Sequence, residues 1–505
     1  MIKLIYRIES DYMSKKRMLI VTSVTLSVVT ISLGIVKLYQ TYALSNYIGT
    51  VTDTGIDVYI NDDSYASIPA NGSSNVYYML TNTNPGTVKY GVAYQTTSGV
   101  TVKVYDTSED PATGTIEEND KKYIKLHLEN KNSTNKTIEL STVLGYENGG
   151  DLVVPSGVTL VTDTYTPPPT AAEYITKLYT TASKTTVTNN SITYNTAPSV
   201  SLTNDRLGGT TTDLDGGNIR YYGASPNNYI YFNCSDYSNQ TSSTCETWRI
   251  IGVFNGKLKI IRGSQIGTYS WDNKDTSTGA ESNFGKNDWT TARLMKLLNP
   301  SDYYTTDSND NNLGQGLYYN SASGKCYSGQ NNATVDCNFT STGIKNDITR
   351  NMIAETTYNL GGWNTFTVYP NEIYEYERGT TVYTGRPTTP WTGKIALAYP
   401  SDYGYAADLN QCKDKILKNY DNSTCTSNNW MKAIITNNGS SLGWLLTPHS
   451  SYSHSVWSVY SSGYVIYRSA YNVIGVVPVL SLSSKLGIEP GSGDGSSSNP
   501  YKLSA

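Results

Sequence analysis

The chain has 505 residues and a formal net charge of −4, and only 16% of its residues are charged, below the roughly 25% usual in soluble domains. At about 100–200 residues per domain, this length predicts two to four domains, and the near balance of charge excludes a strongly basic nucleic-acid binder. Tyr is abundant (44) and Phe scarce (5), and the three His, His127, His449 and His454, are too few for a multi-His metal site; no cofactor or metal is expected.

Residues 1–17 carry Lys3, Arg7, Lys15, Lys16 and Arg17, and residues 18–38 follow as an apolar run that is uncharged from Met18 to Val36. At about 1.5 Å per helical residue, such a run nearly crosses a hydrocarbon core of about 30 Å. After Lys37 no Lys or Arg occurs until Lys89, and this asymmetry places the N-terminus in the cytoplasm and the rest outside. The rival reading is a cleaved signal peptide with Ala43-Leu44-Ser45 as its processing site. Signal cores are usually about 7–15 residues, which favours an uncleaved single-pass anchor.

Residues 46–165 read as short strands with polar turns: Asn75–Leu80, Thr87–Tyr94, Val100–Tyr105, Tyr123–Glu129, Thr137–Leu144 and Leu152–Val161. In Tyr123–Glu129, Ile124, Leu126 and Leu128 alternate with Lys125, His127 and Glu129, so His127 is expected on a solvated face rather than as a ligand. Six or seven such strands predict an all-β, immunoglobulin-like sandwich without the antibody-type disulfide. Residues 166–196 begin with Thr166-Pro167-Pro168-Pro169-Thr170, a stiff spacer. A short helix from Ala171 to about Thr181 and a Ser/Thr/Asn-rich linker over 182–195 complete that segment.

Residues 197–488 hold all six Cys and all eight Trp. The Cys fall into close pairs, Cys234/Cys245, Cys326/Cys337 and Cys412/Cys425, which suit local disulfides in an oxidising exterior. Zinc would want Cys-x-x-Cys-like spacing or nearby His, and neither occurs. One amphipathic helix is expected over about Thr291–Asn299, capped by Asp288 or Thr290, with Leu294, Met295 and Leu298 as its apolar stripe. Residues 489–505 read as a polar tail without a second anchor.

Four segments of the large region occur in a telling order. They are Trp248-Arg249-Ile250-Ile251-Gly252-Val253 with Lys257 to Arg262; Asn287-Asp288-Trp289 opening the helix that ends Leu297-Leu298-Asn299; Lys394 to Tyr403; and Trp444-Leu445-Leu446-Thr447-Pro448 with Gly475 to Leu480. This set resembles bacterial C-type-lectin-like domains of the formylglycine-generating-enzyme fold, including the variable proteins of diversity-generating retroelements. The resemblance implies an α+β head over 197–488. Thr447 and Val477 stand where that family often has Arg, and no Glu-Pro-Asn or Gln-Pro-Asp calcium loop is present, so calcium-dependent sugar binding is not implied. It also implies an exposed binding segment from His449 to Asn472. There Tyr452, Tyr460, Tyr464, Tyr467 and Tyr471 stand among Ser, His454, Trp457 and Arg468, side chains suited to a paratope; codons for Tyr, Ser, Asn and His interconvert at adenines, as retroelement diversification would produce.

Walker, zincin and Gly-x-Ser-x-Gly signatures are missing. Asp307-Ser308-Asn309-Asp310-Asn311 opens like a calcium loop but lacks the closing Glu, since position 318 is Tyr. Glu375 and Glu377 would share a face if they lie on a strand, as a glycosidase pair could, and His449 or His454 could serve a Ser-His-Asp site only beside a buried Asp. The sequence therefore points to a bacterial membrane-anchored surface protein. Its non-catalytic head would bind an extracellular protein or glycan and no nucleic acid; a cell-wall or glycan hydrolase and a pilin-like subunit are the alternatives.

Overall fold

The computed structural model describes residues 65–504, apart from 83–85, 147–150, 153, 207–216, 274–283, 306–312, 385–389 and 490. The expected anchor at 18–38, its basic flank and the calcium-loop-like residues 307–311 lie outside the described residues. Among the described residues no helix is long and apolar enough to cross a membrane. The chain forms two compact units, Met1–Pro167 and Pro168–Ala505, and is mostly β-sheet with few helices.

The first unit is a two-sheet β-sandwich. Its strands are β1 (Tyr65–Ile68), β2 (Gly72–Thr81), β3 (Val88–Gln95), β4 (Val100–Tyr105), β5 (Thr113–Ile116), β6 (Lys121–Asn130), β7 (Lys136–Tyr146), β8 (Val158–Leu160) and β9 (Thr164–Tyr165). One sheet runs β1-β7-β3-β5 with β8 also on β3, and the other runs β2-β6-β4-β9; the pairing is antiparallel except where β4 and β9 run parallel. Alternation on β6 buries Ile124, Leu126 and Leu128 between the sheets with Tyr78, Leu80, Val92, Ile138 and Leu140. Each such aliphatic side chain contributes about 1.5–3 kcal/mol by leaving water. A buried hydroxyl pair there, Tyr78 Oη and Thr142 Oγ1 at 2.7 Å, bonds from sheet to sheet, so these two groups are not left unsatisfied.

Two expectations need correction here. Among the described residues of Leu152–Val161 only Val158–Leu160 is strand, because Pro155 and Gly157, with φ of +83°, turn the chain first. His127 does not lie on a solvated face: it is only 5% exposed, because Tyr165 of β9 stacks flat on its ring at 3.6 Å.

The second unit starts earlier than composition suggests. Thr170 caps helix α1 (Ala171–Thr181) in a reciprocal capping box with Glu173. The helix buries Ala171, Ile175 and Tyr179 in the large hydrophobic core, so it belongs to the head rather than to a spacer. The expected linker at 182–195 is a hairpin, β10 (Thr185–Asn189) and β11 (Ile192–Ala197). Its two-residue loop, Asn190-Ser191, has φ of +44° and +63°, the left-handed pair that a tight hairpin requires.

The main sheet continues with β12 (Leu202–Asn204), β13 (Ile219–Tyr221), β14 (Tyr229–Phe232), β15 (Glu246–Phe254) and β16 (Lys257–Arg262). A bulge between Ile250 and Gly252 interrupts the β15–β16 register. At Gly252 a Cβ would meet the Ile219 carbonyl oxygen, so only glycine allows β13 this close. Then come β17 (Thr268–Ser270), a 3-10 turn Trp289–Thr291 capped by Asp288, and α2 (Arg293–Leu298). Trp289, Leu294, Met295 and Leu298 are all buried, so the expected helix is split into a turn and a shorter helix. Further elements are β18 (Ser323–Tyr327), β19 (Thr334–Asn338), α3 (Asp347–Met352), β20 (Thr356–Tyr358), α4 (Pro370–Arg378), β21 (Trp391–Gly393), β22 (Ile395–Ala396), α5 (Pro400–Tyr405), α6 (Ser423–Ser427) and α7 (Trp430–Ile435). The chain closes with β23 (Gly443–Pro448), β24 (Ser455–Val459), β25 (Val465–Ser469), β26 (Val473–Gly475), β27 (Val479–Ser481), β28 (Gly487–Ile488) and β29 (Leu503–Ser504).

The large sheet orders β10-β11-β12-β13-β15-β16-β27-β22 with β14 on β15, and a second sheet orders β17-β26-β23-β24-β25. The described residues of the expected tail, 489 and 491–504, are not loose. Tyr501 and Leu503 are buried, Tyr231 N donates to Tyr501 O at 2.9 Å, and β29 pairs with β28; a Gly/Ser-rich turn carries two apolar anchors back to the sheet. All three cysteine pairs are disulfides: Cys234–Cys245, Cys326–Cys337 and Cys412–Cys425, with Cα separations of 3.9, 5.7 and 4.8 Å.

Candidate functional site: an aromatic ledge

The segment 449–472 is a hairpin, β24 to β25, with a preceding loop and a following turn. Asn287 fixes the loop, donating through Nδ2 to the carbonyls of His449, Tyr452 and Ser455 at 2.8, 2.9 and 3.0 Å. In the hairpin Trp457 pairs with Tyr467, and Val456 with Arg468. Tyr467 and Arg468 therefore project to opposite sides of β25.

This alternation separates the expected binding residues into three groups. The first is an aromatic ledge. The His449 ring lies 4.6 Å from Tyr452 and 5.6 Å from Trp457, and meets Tyr467 edge-on at 4.5 Å. The second pairs Tyr460 with Tyr464, stacked at 4.8 Å, and sets the Arg468 guanidinium 5.6 Å from the Tyr460 ring. The third sets His454 and Tyr471 against Phe284, at 5.3 and 5.4 Å; Asn472 closes the turn there, its N–H donating to Ser469 O at 2.9 Å.

Exposure also differs from the expectation of one open surface. Tyr452 is 48% exposed, but His449 and Trp457 are 1% and 2% exposed and form the floor. His449 Nδ1 accepts from Ser451 N at 3.1 Å, and its Nε2 is buried without a hydrogen-bond partner among the described residues. Burial drives its imidazole down to about 4, so it stays neutral at pH 7.

Four side chains of the ledge were not anticipated from the sequence. Phe366 stacks on Tyr467 at 5.2 Å and meets Trp457 edge-on at 5.8 Å. Trp363 stacks on Tyr376 of α4 at 3.8 Å, and Lys418 Nζ stands 5.1 Å from the Phe366 ring, a cation–π distance. Gly361 and Gly362 let this strap in: a Cβ at either would meet the Tyr376 or the Pro448 carbonyl. Beside the ledge, Trp363, Phe366, Leu417, Lys418, Trp457 and Val465 help to line a small apolar dimple with room for about 10 Å³, no more than a single water.

The charged residues of the head are mostly structural. Arg220, Asp205, Asp402 and Lys259 form a buried network: Arg220 pairs with Asp205 through Nε and with Asp402 through Nη1, and Lys259 Nζ pairs with Asp402. Glu375 and Glu377 are not a strand pair. They lie two apart on α4 and face differently: Glu375 is exposed, while Glu377 is fully buried. Glu377 accepts from Ser401 N at 2.9 Å and Ser401 Oγ at 2.5 Å, and burial pushes its carboxyl up to about 7. A glycosidase needs two carboxyls facing one bond, and this pair does not provide them. Among the described residues no group of three or more His, Cys, Asp or Glu gathers to hold a metal.

No protein-family model, no curated protein and no solved structure matches the chain.

Proposed function

We propose that this chain is a bacterial surface protein, held in the membrane by the apolar run at 18–38 with its N-terminus in the cytoplasm. On this reading an immunoglobulin-like sandwich carries a C-type-lectin-like head outside the cell. The head binds an extracellular protein or glycan without catalysis. The single observation that carries the reading is the aromatic ledge: Tyr452, Tyr467 and Phe366 present flat rings on a floor fixed by His449, Trp457 and Asn287. Rigid aromatic rings supply contact area at low entropic cost, and buried anchors around which water is excluded dominate binding energy. The three disulfides suit an oxidising exterior, and the basic residues before the apolar run set its orientation.

The test uses the full chain displayed on cells. Tyr452→Ser with Phe366→Leu is expected to abolish adhesion to arrayed proteins or glycans while the melting temperature moves little, since Tyr452 is half exposed and Leu keeps an apolar side chain where Phe366 packs on the core. Adhesion that survives both changes would place the binding face elsewhere. Trypsin added to intact cells is expected to release fragments from beyond residue 46; complete protection would refute the topology. Turnover of peptidoglycan that is lost in Glu377→Gln would replace recognition with hydrolysis.

A further inference from the structure

The aromatic ledge is one end of a longer file of rings. Phe366 stacks on Tyr467 at 5.2 Å, and Tyr467 lies 5.6 Å from Tyr452. Tyr452 in turn lies 6.3 Å from His454, His454 lies 5.3 Å from Phe284, and Phe284 lies 5.4 Å from Tyr471. The Tyr452–His454 contact joins the first and third groups of the hairpin segment into one band. Tyr452 and Phe284, on either side of His454, are its most exposed rings, at 48% and 40%.

The band carries almost no charge. No Asp, Glu, Lys or Arg occurs from 361 to 369, and Arg468 is the only one from 449 to 472. Arg468 belongs to the other side of β25, where it meets Tyr460, and Lys418 at the Phe366 end faces that ring. Polar groups accompany the rings instead: beside Tyr452, Asn364 Nδ2 donates to Ser451 Oγ at 3.2 Å, and both residues are exposed.

We propose, on the basis of the recognition reading, that this band is a calcium-independent binding site for an extended, neutral polysaccharide of equatorially linked pyranoses, which narrows the ligand to a glycan. Such a sugar turns a face of C–H groups to one side and a rim of hydroxyls outward. Aromatic rings are negative on their faces, so the C–H face stacks on them while the hydroxyls reach groups such as Asn364 and Ser451. A file of rings lets successive sugars repeat the contact, and stacking needs no cation. A protein partner would rely on anchors seated in pockets and on complementary charge. The dimple beside the ledge has room for about 10 Å³, a single water, and the band offers no run of charge.

The test is affinity electrophoresis of the purified full chain through gels containing hydroxyethyl cellulose, glucomannan or arabinoxylan, with glycogen as the branched, α-linked control. Retardation by at least one of the first three is expected, unchanged by EDTA. Tyr452→Ala and Phe284→Ala should each weaken it by roughly 3–10-fold, the worth of one aromatic contact, and their exposure keeps the melting temperature nearly unchanged. Tyr460→Ala with Tyr464→Ala, on the other side of β25, should leave it intact. Loss of retardation in EDTA, equal retardation by glycogen, or retardation that survives both band substitutions would overturn the site. Adhesion to an arrayed protein that Tyr452→Ser removes, without retardation by any polysaccharide, would overturn the glycan and leave the recognition reading standing; absence of both would end both.

Discussion

Replacing Asp402 by Ala tests what holds the head together. The Asp402 carboxylate accepts from Arg220 Nη1 at 2.9 Å and from Tyr399 N at 3.0 Å, and it pairs with Lys259 Nζ. Its side chain is about 1% exposed, and those of Arg220 and Lys259 are 1% and 7% exposed. Removing it leaves two buried cations with Asp205 as the remaining anion of the network, and frees the first turn of α5. Stripping one partner from a buried pair costs about 3–5 kcal/mol, and the lost cap adds about 1 kcal/mol. For a unit as large as the head this corresponds to a fall of roughly 5–10 °C in melting temperature. Calorimetry of the full chain is the assay, with the sandwich transition as internal control. Adding Lys259→Met should restore part of the loss, since it removes one uncompensated charge. A fall of under about 1 kcal/mol for Asp402→Ala would show that the network contributes no stability.

The remaining predictions concern pH and covalent links. Glu377 has a folded pKa of about 7, raised from 4.5 by burial, so it adds stability that is present below pH 4.5 and lost as pH rises through about 7. At about 1.4 kcal/mol per unit this is roughly 3 kcal/mol, and Glu377→Gln should remove that slope in urea melts taken between pH 4.5 and 7. His449 has the opposite sign: depressed to about 4, it adds stability that is present above its usual 6.5 and lost as pH falls toward 4. His449→Phe should therefore make the chain less acid-sensitive, and an unchanged acid midpoint would contradict its burial. Replacing Cys326 and Cys337 by Ser opens a link of sequence separation 11 and should cost about 3 kcal/mol in the chain-entropy model, read by denaturant titration.

Much of the first unit was legible because one face of each strand is apolar. Ile124, Leu126 and Leu128 announce β6, and Val100–Tyr105 was placed to the residue. His127 was misjudged because alternation tells which side a residue faces, not what covers that side; its cover, Tyr165, belongs to a two-residue strand. The β10–β11 hairpin had a signal that composition masked. Thr and Val favour strands, and Asn190-Ser191 is turn chemistry, but a run of Ser, Thr and Asn also suits a linker. The ledge was half legible. Tyr452 and Tyr467 lie in the expected segment, whereas Trp363, Phe366, Tyr376 and Lys418 come from other elements and meet it only through packing. The buried charges were illegible for the same reason: Asp205, Arg220, Lys259 and Asp402 lie far apart in sequence.

The head begins and finishes at one spot. Ala171 N donates to Leu486 O at 2.7 Å, Thr170 bridges Gly487, and β28 in turn pairs with β29, so both ends of this unit are stitched into one small seam. Neighbouring termini are what make a domain tolerant of circular permutation and of insertion into a host loop. Residue 504 could be joined to residue 168 by a short linker, and new ends opened at an exposed hairpin turn such as Asn255-Gly256, without unpicking either large sheet. The same seam makes the head a cassette: whatever carries it needs to grip only one place.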